Sequence, residues 1–218
     1  MKDTILQITD KTKDGRLKRI RSLLKREHFL QVDGDLVNII VPAREQKGKI
    51  ALVAHHDVLP GSYGYNDNST GVVSLLKMQF KVPDNVEIVF TDGEERGGRG
   101  CELYLTKSVN PRMAINLDVV GLGDKIFYEE YGPKGKIRIG AKDPMEYYRS
   151  IPFSDSYILN HFNVPNILIL TGSSHDSLID EIWKAQHNGP NDGKMELINE
   201  DVMQKVQDVV LKILERNK

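Results

Sequence analysis

The sequence of 218 residues predicts an α/β protein, a three-layer α/β/α sandwich around a mixed, mostly parallel central sheet. Short apolar segments typical of buried strands alternate with longer segments of helical periodicity, a pattern that indicates strands joined by covering helices. Two early apolar segments are separated only by a short polar turn, which favours some antiparallel pairing at one side. The length suits one domain, and we expect it to span residues 1–218.

The N-terminal part predicts a helix followed by two strands. DGRLKRIRSLLKREHFL places four apolar residues at helical spacing, namely Leu17, Ile20, Leu23 and Leu24. Basic residues lie on the opposite face, which we expect to be solvated. DLVNIIVPA and KIALVAHH then read as two strands joined by the polar turn REQKGK. Their close spacing predicts that they pair with each other in antiparallel orientation.

The middle of the chain predicts an alternation of helices and strands. TGVVSLLKMQFKV and GCELYLTKS have the periodicity of helices, and NVEIVFTD and RMAINLDVVG read as buried strands. KIFYEEYG and KIRIGA flank the turn residues PKG and together predict a hairpin.

The C-terminal part predicts helix, strand and helix. DSYILNHFN is a helix for which Ser154 or Asp155 supplies the N-cap, and NILILTG is a strand. NEDVMQKVQDVVLKILERNK is an amphipathic helix with Asn199 as its N-cap.

Composition excludes several broad classes of protein. Apolar residues make up 39% and charged residues 28% of the chain, which is ordinary for a globular protein. The net charge of -1 favours neither nucleic acid nor a membrane as a partner. The N-terminus lacks an apolar secretory region, so we expect a cytoplasmic protein. The single cysteine, Cys101, excludes an internal disulfide and is expected to be buried at a helix start.

Polar residues follow the predicted strands at the points where the strands end. In parallel sheets, ligands gather at the carboxyl ends of strands, so these residues are candidates for a common site. They are His55, His56, Asp57, Asp67, Asp92, Glu94, Glu95, Asp118, His175 and His187. Imidazoles and carboxylates without cysteine suit zinc or a similar divalent ion. The set exceeds what one tetrahedral ion needs and would suffice for two ions bridged by a carboxylate.

Five segments in order carry a resemblance to a known family. They are AHHDV, NDNSTG, EERGGRGC, NLDVVG and QHNGPND. The sequence resembles zinc metallopeptidase family 28, the bacterial-leucyl-aminopeptidase-like members of the dinuclear zinc exopeptidase clan, over about residues 50–210. Three departures from the family pattern are Thr70, Cys101 in place of a serine, and one extra residue between His187 and Pro190.

The resemblance implies a ligand set for two divalent metal ions. His55 and Asp118 would hold one ion, Glu95 and His187 the other, and Asp67 would bridge both. The ions would be Zn²⁺, with Co²⁺ or Mn²⁺ as alternatives, because ligand type alone does not separate these metals. His175 remains an alternative to His187 as a ligand or as a substrate contact.

The resemblance also implies two catalytic residues. Asp57 would hydrogen-bond the free ring nitrogen of His55 and fix its tautomer. Glu94 would act as the general base that takes the proton of the attacking water and passes it to the departing amine. The peptide bond between Asp67 and Asn68 would be cis, as in family members.

The resemblance therefore implies the zinc-exopeptidase (phosphorylase/hydrolase-like) fold and hydrolysis of peptide bonds, with an aminopeptidase acting on peptide or small amide substrates as the first expectation. The chain is short for the family, so we expect no lid or dimerisation insert and an open site. Carboxypeptidases, dipeptidases and other amidases share this metal set and stay open. Two further alternatives are a glutaminyl-cyclase-type aminoacyltransferase with one zinc and a non-catalytic, metal-stabilised binding module.

The remaining polar candidates have plainer interpretations. We expect His56 to be structural, because it would point the opposite way from His55 along the strand. We expect Asp92 to support the site or form a turn, and Asp155 to be an N-cap. Tyr63 and Tyr65 are candidates for pocket walls. We expect Glu129 and Glu130 to lie on a solvated edge of the sheet.

Overall fold

The computed structural model describes residues 1–10, 12–108, 110–133, 135–149 and 151–218. The helices are α1 (Lys2–Ile8), α2 (Lys13–Leu23), α3 (Thr70–Met78), α4 (Arg99–Lys107), α5 (Asp155–His161), α6 (Leu178–Lys184) and α7 (Glu200–Arg216). The strands are β1 (Phe29–Asp33), β2 (Leu36–Val41), β3 (Ile50–His55), β4 (Val86–Thr91), β5 (Met113–Leu117), β6 (Lys125–Tyr131), β7 (Met145–Tyr147) and β8 (Asn166–Gly172). Within these described residues, every helix is too short or too polar to span a bilayer.

The eight strands form one mixed sheet in the order β1-β2-β4-β3-β5-β8-β6-β7. The four central strands, β4, β3, β5 and β8, are parallel, so their carboxyl ends lie along one edge. Antiparallel pairs flank them on both sides, β1-β2-β4 on one and β8-β6 on the other. The predicted mixed and mostly parallel sheet is therefore confirmed.

Helices cover both faces of the sheet. Every residue of β3 and β4 is buried, as expected for strands with apolar side chains on both faces. One face packs Leu52, Ile88 and Ile115 against α3 and α7, and the other packs Val53 and Val89 against α4 and α5. The three-layer α/β/α arrangement is confirmed.

The predicted pairing of the two early strands is wrong. β4 lies between β2 and β3, so β2 pairs with β4 in antiparallel and β3 pairs with β4 in parallel orientation. The turn that makes a hairpin is earlier in the chain, where Asp33 pairs with Leu36 across Gly34 at φ 58°. Glycine adopts this left-handed conformation without steric cost, and this favours the β1–β2 hairpin.

The first predicted helix is too long. α2 ends at Leu23, because Leu24 has an extended backbone with ψ 126°, and β1 begins at Phe29. The side chain of Gln79 accepts hydrogen bonds from the backbone N–H groups of Lys25 and Arg26, which fixes the chain as it leaves the helix. The predicted segment thus contains both a helix and the start of a strand.

The hairpin predicted after β6 is also wrong. Its first half is β6, but the described residues after it pack against the end of α7 instead of returning along β6. Ile137 is buried in the core, and the backbone N–H and carbonyl of Arg138 both hydrogen-bond the side chain of Asn217. β7 occupies the edge position beside β6. Lys134, in the predicted turn, lies outside the described residues.

The C-terminal helix begins as predicted. The Asn199 side chain accepts hydrogen bonds from the backbone N–H groups of Asp201 and Val202, which makes it the N-cap of α7. Its amide group also donates to the carbonyl of Gly123, 2.7 Å away. The cap therefore ties α7 to the segment between β5 and β6.

We expect Asn199→Ala to lower the free energy of unfolding by about 1–2 kcal/mol, because the helix loses its cap and Gly123 loses a donor. Urea unfolding followed by circular dichroism measures the change. Lys205→Ala, at an exposed position of the same helix, is the control and should change stability by less than about 0.5 kcal/mol. Equal effects of the two substitutions would show that the cap contributes nothing.

We expect the Cys101 thiol to be unreactive in the folded protein. It lies fully buried in α4, and burial raises the pKa of this thiol well above its usual range, so thiolate is scarce. Labelling with dithionitrobenzoate at pH 8 should be slow in buffer and complete in urea, and the signal comes from the only cysteine of the chain. Fast labelling of the folded protein would contradict the buried placement.

Candidate functional site

The carboxyl edge of the parallel strands brings the five predicted ligands together. His55 is the last residue of β3, and Asp118 follows β5 directly. Glu95 lies on a 3₁₀ turn shortly after β4, Asp67 lies on the loop before α3, and His187 lies on the loop after α6. Residues up to 132 positions apart in the chain (55 to 187) thus meet at one edge of the sheet.

Asp67 lies at the centre of this cluster. One of its oxygens, Oδ1, is 2.9 Å from His55 Nε2, and the other, Oδ2, is 3.3 Å from His187 Nε2. His55 Nε2 is also 3.5 Å from Asp118 Oδ1, and His187 Nε2 is 2.8 Å from Glu95 Oε2. The cluster therefore has two halves, each an imidazole and a carboxylate, with the Asp67 carboxylate between them.

Hydrogen bonds from neighbouring residues hold the Asp67 loop against β5. The side chain of Asn68 donates to the carbonyl of Leu117 at 2.8 Å and accepts from the backbone N–H of Gly71 at 3.0 Å. A Cβ atom on Gly71 would lie 2.4 Å from the Asn68 side chain, which explains the glycine. The peptide bond between Asp67 and Asn68 is cis, as the resemblance implies.

Asp57 holds the strand end and the Glu94–Glu95 turn together. Its carboxylate accepts the backbone N–H of Glu94 at 3.1 Å and that of Glu95 at 3.2 Å. His55 Nδ1 is 3.2 Å from the Asp57 carbonyl oxygen and 3.5 Å from its carboxylate. The other ring nitrogen, Nε2, is thereby directed into the cluster.

Glycines flank the turn that carries the two glutamates, and the start of α4 packs closely against the end of β4. Glu94–Arg96 form a 3₁₀ turn between Gly93 and Gly97, both with left-handed backbones. At Gly100, a Cβ atom would lie only 1.9 Å from the carbonyl oxygen of Asp92. This contact excludes any larger residue and explains the last glycine of the EERGGRGC motif.

His187 is positioned by the segment that follows α6. It has φ 51°, in the left-handed region. Asp192 accepts hydrogen bonds from the Ser62 hydroxyl at 2.8 Å and from the Tyr63 backbone N–H at 2.9 Å. These contacts join the segment after His187 to the loop that carries Asp67.

Burial and mutual repulsion raise the pKa values of three carboxyl groups in the cluster. Burial and the charge of Asp67 together raise the pKa of Glu95 to about 7, against attraction by His55 and His187. Burial likewise raises the pKa of Asp118, and it raises that of Glu94 well above its usual range. Burial opposes protonation of His55, but the charges of Glu94 and Asp118 raise its pKa well above the usual value.

The cluster fits a divalent cation. His55 Nε2 and Asp118 Oδ1 are buried, and neither makes a hydrogen bond of acceptable geometry with the described residues. One ligand atom each from His55, Asp67 and Glu95 lie within 4.8 Å of one another. Orphaned lone pairs that converge in this way, on nitrogen and oxygen donors without thiolate, match the preferences of zinc.

A cavity of about 190 Å³ opens beside the cluster. The cluster forms one wall of it through Asp67, Glu94, Glu95, Asp118 and His187. Apolar side chains from β8, from α6 and from the segment before α5 form the rest, namely Val119, Ile151, Pro152, Phe153, Leu168, Leu170, Ile182 and Trp183. The cavity therefore combines a charged wall with an apolar interior.

His175 and His56 lie outside the cluster. The ring of His175 packs 4.5 Å from that of Tyr148, and its Nδ1 is 3.8 Å from Asp176, so the structure favours His187. His56 is buried, and its Nε2 is 2.9 Å from the carbonyl of Val37, in agreement with a structural role.

The acidic residues outside the ligand set take supporting places. Asp92 accepts the backbone N–H of Val37 at 2.8 Å, so it supports the strand ends. Ser154, rather than Asp155, caps α5, because its hydroxyl accepts a hydrogen bond from the backbone N–H of Ser156. The Asp155 carboxylate instead accepts the hydroxyl of Thr91, and burial raises its pKa to about 7. The expectation that Asp155 is the N-cap is therefore wrong.

Glu129 and the loop tyrosines also differ from expectation. Glu129 is 9% exposed rather than solvated, and it accepts the Ile151 backbone N–H at 2.9 Å, which supports one wall of the cavity. Its neighbour Glu130 accepts the Gly135 backbone N–H. Tyr63 packs 5.3 Å from Tyr65 and is half exposed, and neither residue lines the cavity.

Sequence reasoning missed three residues that support the site. Asn68 lies in the NDNSTG motif and Asp192 in the QHNGPND motif. Both motifs are rich in amide and carboxyl side chains, and this richness could have indicated that Asn68 and Asp192 support the site. Arg16 lies in α2, far from any motif, and is 2% exposed, although its helix face was expected to be solvated. Its spacing alone carries no signal of this placement.

Comparisons with known proteins agree with this geometry. The sequence model of peptidase family M28 matches residues 36–214. A vacuolar membrane protease of Saccharomyces cerevisiae is 32% identical over 111 residues, a stretch that covers 48% of this chain and 11% of the yeast protein. The chain therefore corresponds to only a small part of that relative.

Two solved structures share the fold. BSAP, a zinc aminopeptidase from Bacillus subtilis, superposes with a TM-score of 0.65 at 20% identity, covering 83% of this chain and 49% of that one. Glutaminyl cyclase from Porphyromonas gingivalis superposes with a TM-score of 0.64 at 20% identity, covering 91% and 86%. At these identities the similarity shows the fold alone. The match of the family model over residues 36–214 shows that the chain belongs to peptidase family M28.

Proposed function

We propose that the cluster holds two divalent metal ions, zinc foremost, and that the protein is an exopeptidase that removes N-terminal residues from peptides. The observation that carries the proposal is the position of Asp67, with one carboxylate oxygen facing His55 and the other facing His187. A carboxylate with its two oxygens directed at separate donor sets is suited to bridge two ions.

Each half of the cluster would hold one ion. His55 and Asp118 would be ligands of the first, and Glu95 and His187 of the second, with Asp67 shared. When bound, the two ions would acidify a water molecule and polarise the scissile carbonyl group. The contact between Asp57 and His55 Nδ1 would keep Nε2 free to coordinate.

Glu94 would move the proton. It lies on the wall of the cavity and is 8% exposed, and burial raises the pKa of its carboxyl group well above its usual range. A general base works best when its pKa approaches the working pH, because it must both accept and release the proton. Glu94 would take a proton from the attacking water and deliver it to the nitrogen of the departing amine.

The cavity supports the assignment to the N-terminal end of a peptide. Its wall contains four carboxyl groups, and their negative charge would attract a substrate ammonium group. The rest of its wall is apolar, and its volume of about 190 Å³ suits the side chain of a large apolar residue. We therefore propose peptides with an apolar N-terminal residue as substrates.

A glutaminyl-cyclase-type reaction with one zinc is the second candidate. The structural similarity to the glutaminyl cyclase from Porphyromonas gingivalis, which covers 86% of that chain, supports this candidate. The number of metal ions separates the two candidates. A binding module without turnover would also bind metal, but would not depend on Glu94 for any reaction.

We expect Glu94→Gln to lower kcat on an aminoacyl-p-nitroanilide by about 10²–10⁴-fold, because glutamine cannot accept a proton from water. Leucyl and phenylalanyl derivatives are the substrates of choice, since the cavity interior is apolar. The metal content should stay unchanged, because Glu94 is not one of the proposed ligands.

Glu102→Gln is the matched control for this experiment. It makes the same substitution at an exposed position of α4 and should leave kcat within about twofold of wild type. Turnover that survives Glu94→Gln would contradict the role of Glu94. Absence of turnover in the wild type, on peptides and on N-terminal glutamine substrates alike, would favour the binding module.

We expect about two zinc ions per chain by elemental analysis after dialysis against zinc and removal of excess metal. Asp118→Asn and Glu95→Gln should each lower the content to about one ion, because each variant removes a ligand from a different half of the cluster. Asp124→Asn, at an exposed position, is the control and should retain both ions.

One ion per chain in the wild type would contradict the dinuclear site. If Glu95→Gln and Asp118→Asn then both abolished zinc binding, a single ion between the two halves would be indicated. Cyclisation of N-terminal glutamine by such a protein would establish the second candidate.

A further inference from the structure

Arg16 is buried against the segment that follows β3. Its side chain belongs to α2 and is 2% exposed, and its Nε donates a hydrogen bond to the carbonyl oxygen of His56 at 2.5 Å. That carbonyl belongs to the peptide that links His56 to Asp57. One turn earlier on the same helix, the ammonium group of Lys13 pairs with Asp92. Two cations of α2 thus contact the segments that follow β3 and β4.

The rest of the guanidinium has no local partner. Nη1 and Nη2 are buried and make no hydrogen bond to the described residues. Burial lowers the pKa of Arg16 to about 10, while the charges of Asp57 and Asp67 raise it, so the side chain stays charged at neutral pH. A buried, charged and incompletely hydrogen-bonded guanidinium is costly unless nearby negative charge stabilises it.

The cluster supplies that negative charge. It contains five carboxyl groups, which belong to Asp57, Asp67, Glu94, Glu95 and Asp118. Asp67, Glu95 and Asp118 are grouped around two imidazoles at distances of 2.8–3.5 Å, and carboxylates held so close together repel one another when no cation separates them. Asp57, which directly follows the carbonyl bound by Arg16, and Asp67 are the two carboxylates whose charges favour the charged form of Arg16.

We propose that Arg16 is a positioning residue of the metal centre, a resident cation that offsets part of the carboxylate charge and holds the His56–Asp57 segment in place before metal binds. The inference rests on the metal centre proposed above but not on peptide hydrolysis. Residues 1–35, which precede the region matched by the family model, would thus contribute a charge to the site.

A charge on Arg16 affects metal binding in a way that a purely packing side chain does not. Arg16 and the metal ions interact with the same carboxylates and repel each other, so each weakens the effect of the other. Removal of the charge should therefore destabilise the metal-free protein more than the loaded protein. By linkage, it should also tighten metal binding.

The test compares Arg16→Met with wild type in zinc binding and thermal stability. Chelator competition on the metal-free proteins, at one pH and one ionic strength, should show zinc binding about tenfold tighter in the variant. The rise in Tm upon zinc loading should exceed that of the wild type by about 3–6 °C. Neither readout uses a substrate, so failure of the proposed activity leaves the test intact.

Two further variants separate charge from shape. Arg16→Lys keeps the charge, and its zinc affinity and its gain in Tm should match those of the wild type. Arg21→Met removes an exposed charge from the same helix and should change zinc affinity by less than about twofold.

Several results would overturn the proposal. Weaker or unchanged zinc binding by Arg16→Met would do so, because it would show that the charge of Arg16 does not compete with the metal ions for the carboxylates. A Lys variant that behaves like the Met variant would also overturn it. If Arg16→Met does not fold in either state, Arg16→Lys decides: wild-type zinc affinity supports the role of charge, and weakened binding refutes it.

Discussion

The convergence of buried carboxylates at the ends of parallel strands is the constraint on which the rest of the structure depends. Bringing Asp67, Glu95 and Asp118 into one buried cluster costs free energy through desolvation and repulsion, which the fold must offset. It does so with the imidazoles of His55 and His187, with backbone N–H groups directed at Asp57, and with the guanidinium of Arg16. A cation at the cluster would complete this compensation.

The parallel strands of the sheet make such a cluster possible. β3 and β5 are adjacent and parallel, so His55 and the residue after Leu117 reach the same edge at neighbouring positions. The loop that carries Asp67 is then fixed to β5 by Asn68, and the turn after β4 is fixed to β3 by Asp57. His55 and Asp118 lie at strand ends, and Asp67 and Glu95 lie on segments hydrogen-bonded to those ends, which favours a preformed site.

The parallel core and the convergence of the candidate ligands at one sheet edge could be predicted because both leave local signals, whereas the assignment of these residues to metal ions came from the family resemblance. Continuous apolar strands end in charged residues, and the motifs around His55, Asp67 and Asp118 follow in order. Errors arose where distant contacts decide the outcome. Strand order depends on β4 entering between β2 and β3, and the segment around Arg138 follows the end of α7 rather than β6. Arg16 was placed on a solvated face because helical periodicity does not show what the polar face packs against.

The adjacent glutamates show how local geometry separates two identical side chains. In a 3₁₀ turn successive side chains diverge by about 120°, because three residues complete one turn. Glu95 Oε2 lies 2.8 Å from His187 Nε2. The pKa of Glu94 is instead raised chiefly by burial, and the charges that affect it most belong to His55 and Asp118 in the other half of the cluster. Asp57 binds the backbone N–H groups of both residues, so it fixes the turn and with it both directions. One carboxylate acceptor thereby keeps a ligand position and a proton-transfer position apart, and a substitution at Asp57 would disturb both at once.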